Sequence, residues 1–206
     1  MKPSGGQARW NDWNNHGGPK YPHEKVVQFM FRNYPAGARS GLKVLDLGCG
    51  SGVHARFLAA EGFEVYGTDI SPVGIRNSAA LLKEHGLHGS LKVEGIDQIG
   101  FPDGHFDCVL SIGVLDCAGP AVASRAVGEI VRVLKAGGKA LLCFASDSDF
   151  RVRGENPLGL HGYNDAEVDA LLPTRGLSIR WIDRYITTQK NRAEEQNDYL
   201  ITLQKE

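Results

Sequence analysis

Residues 44–52 read VLDLGCGSG, so an acid, Asp46, stands two positions before Gly48, Gly50 and Gly52, which fall at alternate places. Glycine at such a strand-to-helix turn admits positive φ and leaves no Cβ to hold a ligand off the backbone. A second acid, Asp69, follows seventeen residues after Gly52, where the next strand ends. At the carboxyl end of an open sheet that position suits a ribose diol, which donates two hydrogen bonds to one carboxylate. Loop and acid together suit a nucleoside; the plain alternative is a tight turn followed by an ordinary strand-end acid.

A dinucleotide would call for G-x-G-x-x-G, with a pyrophosphate at the helix N-terminus. Here the spacing is G-x-G-x-G, and the carboxylate of Asp46 would repel a pyrophosphate. The same carboxylate suits a ligand carrying an ammonium and a sulfonium, and S-adenosylmethionine is such a ligand.

With these motifs and others downstream, the chain resembles the class I S-adenosylmethionine-dependent methyltransferases from about residue 42 to 145. VLDLGCGSG is similar to the family's first motif, and VYGTDIS to its second-strand acid. EGIDQIGFPDGHFDCVLS resembles the third-strand loop and fourth strand, and EIVRVLKAGGKALLCF the helix, Gly-Gly turn and fifth strand. The resemblance implies that Asp46 and Gly48 bound the methionine part, with Cys49 and Gly50 in the same loop and Ser111 beside it. It also implies Asp69 on the ribose, Ile70 against the adenine face, Asp97 at the adenine amino group and Gln98 offering backbone contacts. The fold it implies is a doubly wound, Rossmann-like α/β domain whose seven-stranded sheet is mostly parallel with the last strand antiparallel. Read without it, Asp97 is also an acceptable loop acid, and Gly137 and Gly138 a helix stop and turn.

Methyl transfer from a sulfonium is an in-line displacement, so alignment matters most and a base is optional. The acceptor is expected to be O or N of a small metabolite, and three segments offer groups for it. In SIGVLDCAG (111–119), Asp116 can orient an amino or hydroxyl group, or cap the helix that follows. In DSDFRVRGENPLGLHGYN (147–164), Arg151 can clamp a carboxylate or phosphate, His161 is the candidate base, and Tyr163 a hydrogen-bonding wall; solvated arginines and core aromatics are the alternatives. In the leader, WNDWNNHGGPKYP (10–22), the aromatics are expected to cover the cofactor, with Tyr21 or Trp10 touching it and Trp13 or His16 facing the acceptor. The alternative is packing outside the sheet. The Asp-Asn pair of a catechol-type metal site is missing, so no metal is expected.

These residues need elements to position them. A helical stretch at 23–34, with Val26, Val27, Met30 and Phe31 at helical spacing, stops at Pro35. Strands at 42–47, 63–69, 90–95, 106–112 and 139–145 then alternate with helices at 53–61, 72–85 and 120–135. Such alternation requires crossovers and a parallel sheet. Ser71 and Pro72 read as N-cap and N1, and Asn164 with Glu167 as a capping box before 164–172. Strands at 177–187 and 198–205 lack a helix between them and should pair as a hairpin. We expect a single domain, 1–206, with a cover and helix (1–40), a cofactor core (41–145) and an acceptor-side part (146–206).

Composition bounds the partners. The chain has 206 residues, 42% apolar, and a net charge of -1, so no bulk field draws it to nucleic acid or an anionic membrane. No run reaches the roughly 18 apolar residues of a membrane span, and a cytoplasmic monomer or homodimer is expected. The four cysteines form no C-x-x-C pair. A nucleotide-dependent oxidoreductase and a non-catalytic cofactor-binding module are the competing readings.

Overall fold

The computed structural model describes residues 5–16, 18–172, 176–189 and 194–206. The chain divides into two compact units, Met1–Ile96 with His105–Leu110, and Asp97–Gly104 with Ser111–Glu206.

The first unit holds α1 (Gly5–His16), α2 (Glu24–Asn33), β1 (Lys43–Leu47), α3 (Val53–Ala60), β2 (Glu64–Asp69), α4 (Pro72–Glu84), β3 (Ser90–Val93) and most of β4 (Phe106–Ile112). β1 lies between β2 and β4 and β2 pairs β3, all parallel, as crossover helices require. Being central, β1 is buried from Val44 through Leu47, so Asp46 is a carboxylate in an otherwise apolar run. The face α2 buries is Val26, Phe29 and Met30, whereas Phe31, expected to join it, is exposed. Ser71 caps α4 by accepting the Gly74 N–H, with Pro72 first in the helix, as expected.

In the second unit are α5 (Pro120–Val133), β5 (Leu134–Ala145), α6 (Phe150–Arg153), α7 (Asp165–Leu171), β6 (Leu177–Gln189) and β7 (Glu194–Lys205). β5 starts five residues before the strand expected at 139. The reason is that Leu134 is already extended, and Lys205 Nζ donates to the carbonyls of Arg132 and Leu134, ending the helix there. β7 runs antiparallel between β5 and β6, which gives the hairpin. The capping box of Asn164 and Glu167 opens α7. The seven-stranded sheet has the order β3-β2-β1-β4-β5-β7-β6, parallel in its first part and antiparallel at the end.

One ion network fixes the turn after β5. Asp149 and Asp198 are buried, and Arg151 reaches both, placing Nε 2.8 Å from Asp149 Oδ1 and Nη2 on Asp198. Asp149 also accepts the N–H groups of Arg151 and, at 2.6 Å, of Asn197. Burial would raise the Asp149 carboxyl, but these bonds hold it below the ordinary carboxylate range.

Two substitutions test this architecture. A Cβ on Gly52, whose φ is +85°, would meet Ser78 Oγ at 2.2 Å and Ser78 Cα at 2.8 Å. Gly52→Ala is therefore expected to cost about 2–4 kcal/mol in urea unfolding, through positive-φ strain and overpacking. Arg151→Met strands two buried carboxylates and is expected to cost about 2–4 kcal/mol at neutral pH. Stability contributed by Asp149 is fully present above its unfolded-state value of about 4 and is lost as pH falls below that through the lower folded-state range, so the deficit should shrink in acid.

Candidate functional site

The glycine loop begins where β1 ends. Gly48 and Cys49 both donate to the carbonyl of Thr68, at 2.8 and 2.9 Å, tying the loop to the end of β2. Positive φ at Gly48, Gly50 and Gly52 carries the backbone into α3. Asp69 then holds the other side, with Oδ2 accepting Gly50 N at 2.8 Å and Oδ1 accepting Ser71 N at 2.7 Å. Each of its oxygens keeps a second lone pair for a further donor. Cys49 is buried against Gly67, where a Cβ would come within 3.0 Å of its sulfur, and burial pushes its thiol up, so it packs rather than reacts. Ile70, one residue past the acid, is 40% exposed, an apolar surface at the strand end.

Asp46 is only 1% exposed, and burial, aided by the charge of Asp69, pushes its carboxyl up to about 7. The Ala55 N–H counters part of this. Its Oδ2 has no hydrogen-bond partner among the described residues. An orphaned buried carboxylate oxygen is costly to maintain, and a cationic ligand would supply the missing partner.

The leader lies on this loop, but through different residues from those expected. It forms the regular helix α1, not an irregular cover, and packs along α4. Gln7 Nε2 donates to Ile70 O at 3.0 Å, Asn11 Oδ1 accepts from Ser71 Oγ at 2.7 Å, and Asn14 Oδ1 accepts from Ser51 Oγ at 3.0 Å. Asn77 Nδ2 donates to Asn14 O at 2.7 Å. Positions 7, 11 and 14 share one face of a 3.6-residue helix, so the aromatics fall elsewhere. Trp10 is half-buried beneath the Arg9 guanidinium, Trp13 is exposed, His16 turns to Asp12, and Tyr21 is 77% exposed. Sequence reasoning fixed on the aromatics; the i, i+4, i+7 spacing of amides was the signal it passed over.

In the second unit, Ser111 is fully buried and its Oγ has no partner among the described residues. Asp97 is bound by Arg125, whose Nη2 lies 2.6 Å from Oδ2, and Gln98 is exposed in the turn beside it. Asp116 sits in a 3-10 turn, Leu115–Cys117, and does not cap α5, whose N-cap Gly119 has no side chain. Its Oδ2 accepts Ala145 N at 3.1 Å, and burial pushes the carboxyl up to about 6. His161 donates its backbone N–H to Asp116 O at 2.7 Å and sets Nε2 3.0 Å from Glu167 Oε1. Tyr163, expected to be a wall, is 1% exposed and donates its hydroxyl to Leu115 O, because β5 and the Asp116 turn enclose it. Arg151, expected to clamp an anion, is engaged by Asp149 and Asp198. Among the described residues no group of three or more His, Cys, Asp or Glu could hold a metal ion, and no helix is long and apolar enough to cross a membrane.

Residues 44–138 match the family model described as "Methyltransferase domain". The chain is 39% identical over 101 residues to the 2-methyl-6-phytyl-1,4-hydroquinone methyltransferase of Synechocystis sp., covering 48% of this chain and 30% of that one. It is 34% identical over 113 residues to a ubiquinone/menaquinone biosynthesis C-methyltransferase of Shewanella sp., covering 52% of this chain and 44% of that one. It thus spans less than half the length of these curated relatives. The fold is similar to that of the magnesium protoporphyrin IX methyltransferase of Synechocystis with bound SAH, at a TM-score of 0.72 and 20% identity, over 99% of this chain and 96% of that one. The matched stretch includes the glycine loop and both of its acids, and over it the chain is similar to methyltransferases.

Proposed function

We propose that the chain binds S-adenosylmethionine on the glycine loop and transfers its methyl group to a small metabolite, at oxygen or nitrogen. The observation that carries the cofactor reading is the buried, unpartnered Oδ2 of Asp46, which fits the cationic methionine end. Asp69, with lone pairs to spare, and Ile70, exposed beside it, fit the ribose and one face of the adenine. From the family resemblance, Asp97, Gln98 and Ser111 are assigned to the same ligand. Arg125 already holds Asp97, so that acid would have to share its oxygens.

The bound sulfonium supplies an activated methyl group, and this chain's own groups would supply orientation and proton removal. His161 is the proposed proton acceptor, because Glu167 holds Nε2 and fixes the ring. Asp116, Arg151 and Tyr163 act on the acceptor side by shaping the turns around it rather than by direct contact, since all three are spent on protein partners. A ring carbon of a hydroquinone is the second reading, favoured by the C-methyltransferase among the relatives. A protein with these acids should be incubated with methyl-labelled cofactor and panels of phenols, amines and hydroquinones, and the product's methyl assigned by NMR to O, N or C. Labelling of carbon alone overturns the O or N assignment, and cofactor binding without transfer to any panel member favours a binding module.

Two outcomes follow from Asp46. Titration with S-adenosylhomocysteine and NADH should show preference for the former; the reverse would return the oxidoreductase. Asp46→Asn should weaken S-adenosylhomocysteine binding by about tenfold or more, having lost a charge-assisted contact. The same variant should unfold no more easily than the wild type near pH 8. In the wild type the folded-state Asp46 carboxyl is raised above the unfolded value, so folding takes up a proton and wild-type stability falls as pH rises toward about 7. Wild-type affinity should run the other way, strengthening as pH rises through about 7, because the protonated acid is neutral and cannot pair with an ammonium.

A further inference from the structure

We propose that His54 is a positioning residue for the cofactor acid: held from behind by the backbone of His23, it directs an N–H at Asp46 and favours the ionised carboxylate. The inference rests on the cofactor reading above and deepens it, because it makes affinity for a cationic ligand depend on a residue with no ligand contact of its own.

His54 is the second residue of α3, just past the glycine loop, and is 8% exposed. Its Nε2 lies 3.1 Å from the backbone nitrogen of His23 and accepts that N–H. A ring nitrogen that accepts carries no proton, so in a neutral imidazole the proton sits on Nδ1. The ring is neutral, since burial and then the neighbouring His23 lower it to about 4. Nδ1 is 3.9 Å from Asp46 Oδ1. At that separation in a buried setting the N–H dipole still favours the charged acid, and a small approach makes it a hydrogen bond.

The groups acting on Asp46 can be named from each packed element. The Ala55 N–H on α3 favours ionisation, and Asp69 at the end of β2 opposes it. Cys49, on the loop, is held as the neutral thiol by burial and by both acids. Beside these, His54 brings Nδ1 to within 3.9 Å of Asp46 Oδ1 and favours the charged form. Behind it, His23 is the N-cap of α2, and its Nδ1 accepts the Lys25 N–H at 3.1 Å. Two backbone donors at the entry of α2 thus hold the two rings, Lys25 N–H the imidazole of His23 and His23 N–H that of His54, so the entry of α2 is coupled to the charge of Asp46.

The test uses the full chain. The Asp46 carboxyl is titrated by 13C NMR in ligand-free wild type, His54→Leu and His54→Asn, and S-adenosylhomocysteine affinity is measured for each between about pH 6 and about pH 8.5. His54→Leu should raise the Asp46 midpoint by about one unit and weaken binding about fivefold to tenfold near pH 7, the two proteins converging at higher pH. His54→Asn, whose amide nitrogen replaces Nδ1, should bring the midpoint back toward wild type, which a merely structural role would not. An unchanged midpoint in His54→Leu overturns the inference even if that variant binds more weakly. Should His54→Leu not fold, the imidazole 15N shifts of wild type decide, a proton on Nε2 overturning the assignment. Wild type that binds no S-adenosylhomocysteine at any pH sinks the cofactor reading instead, and the carboxyl titration still reports on His54.

Discussion

A single carboxylate bonded to two backbone amides organises the first unit. Asp69 takes the N–H of Gly50 from the loop after β1 and that of Ser71 from the turn after β2. The ends of two adjacent parallel strands are thereby joined by a side chain, in addition to the backbone bonds from Gly48 and Cys49 to Thr68 O. Ser71 in turn caps α4 and donates its hydroxyl to Asn11 Oδ1 of α1, so loop, helix start and leader all depend on where that acid stands. The glycines are permitted by this arrangement rather than being its cause. Their positive φ values lead the chain around an acid that has already fixed both sides.

Asp46 is the counterpart of this satisfied acid. Two carboxylates end neighbouring strands, one with both oxygens bonded to amides and the other with an oxygen bonded to nothing among the described residues. Since a buried charge without partners tends to take up a proton, the second acid stays near the boundary between its two forms. Evidence for a ligand lies in that imbalance more than in the loop's shape. A site already complete in itself would leave no reason for an acid near the end of a buried strand.

How much of this was legible before folding depended on whether the signal was local. Strand and helix order, the Ser71 cap, the Asn164 and Glu167 box and the terminal hairpin all follow from spacing within a few residues, and the structure has them. Asp46 and Asp69 were readable because both sit at fixed offsets from the glycines. What spacing could not reveal was partnership across sequence distance. Arg151 looked like an anion clamp because its partner Asp198 lies 47 residues on; Tyr163 looked like a pocket wall because Leu115, its acceptor, is 48 residues away. Asp97 was likewise read without Arg125. The leader misled in another way, since its aromatics suggested apolar cover while its helical period turned the amides inward.

That leader has a thermodynamic consequence. Among the described residues of α1 the buried side chain is Asn14, and hydrogen bonds of amides and hydroxyls tie the helix to the loop and to α4. Apart from half-buried Trp10, these ties are polar, so lifting α1 carries a smaller heat-capacity change than opening the core and responds less to the temperature dependence of hydrophobic burial. Urea would also find little new surface to act on there, whereas solvent water competes directly for each of the bonds. The helix is therefore held by enthalpy in a structure whose core is held largely by water's entropy, and cooling should fasten it while the core gains little.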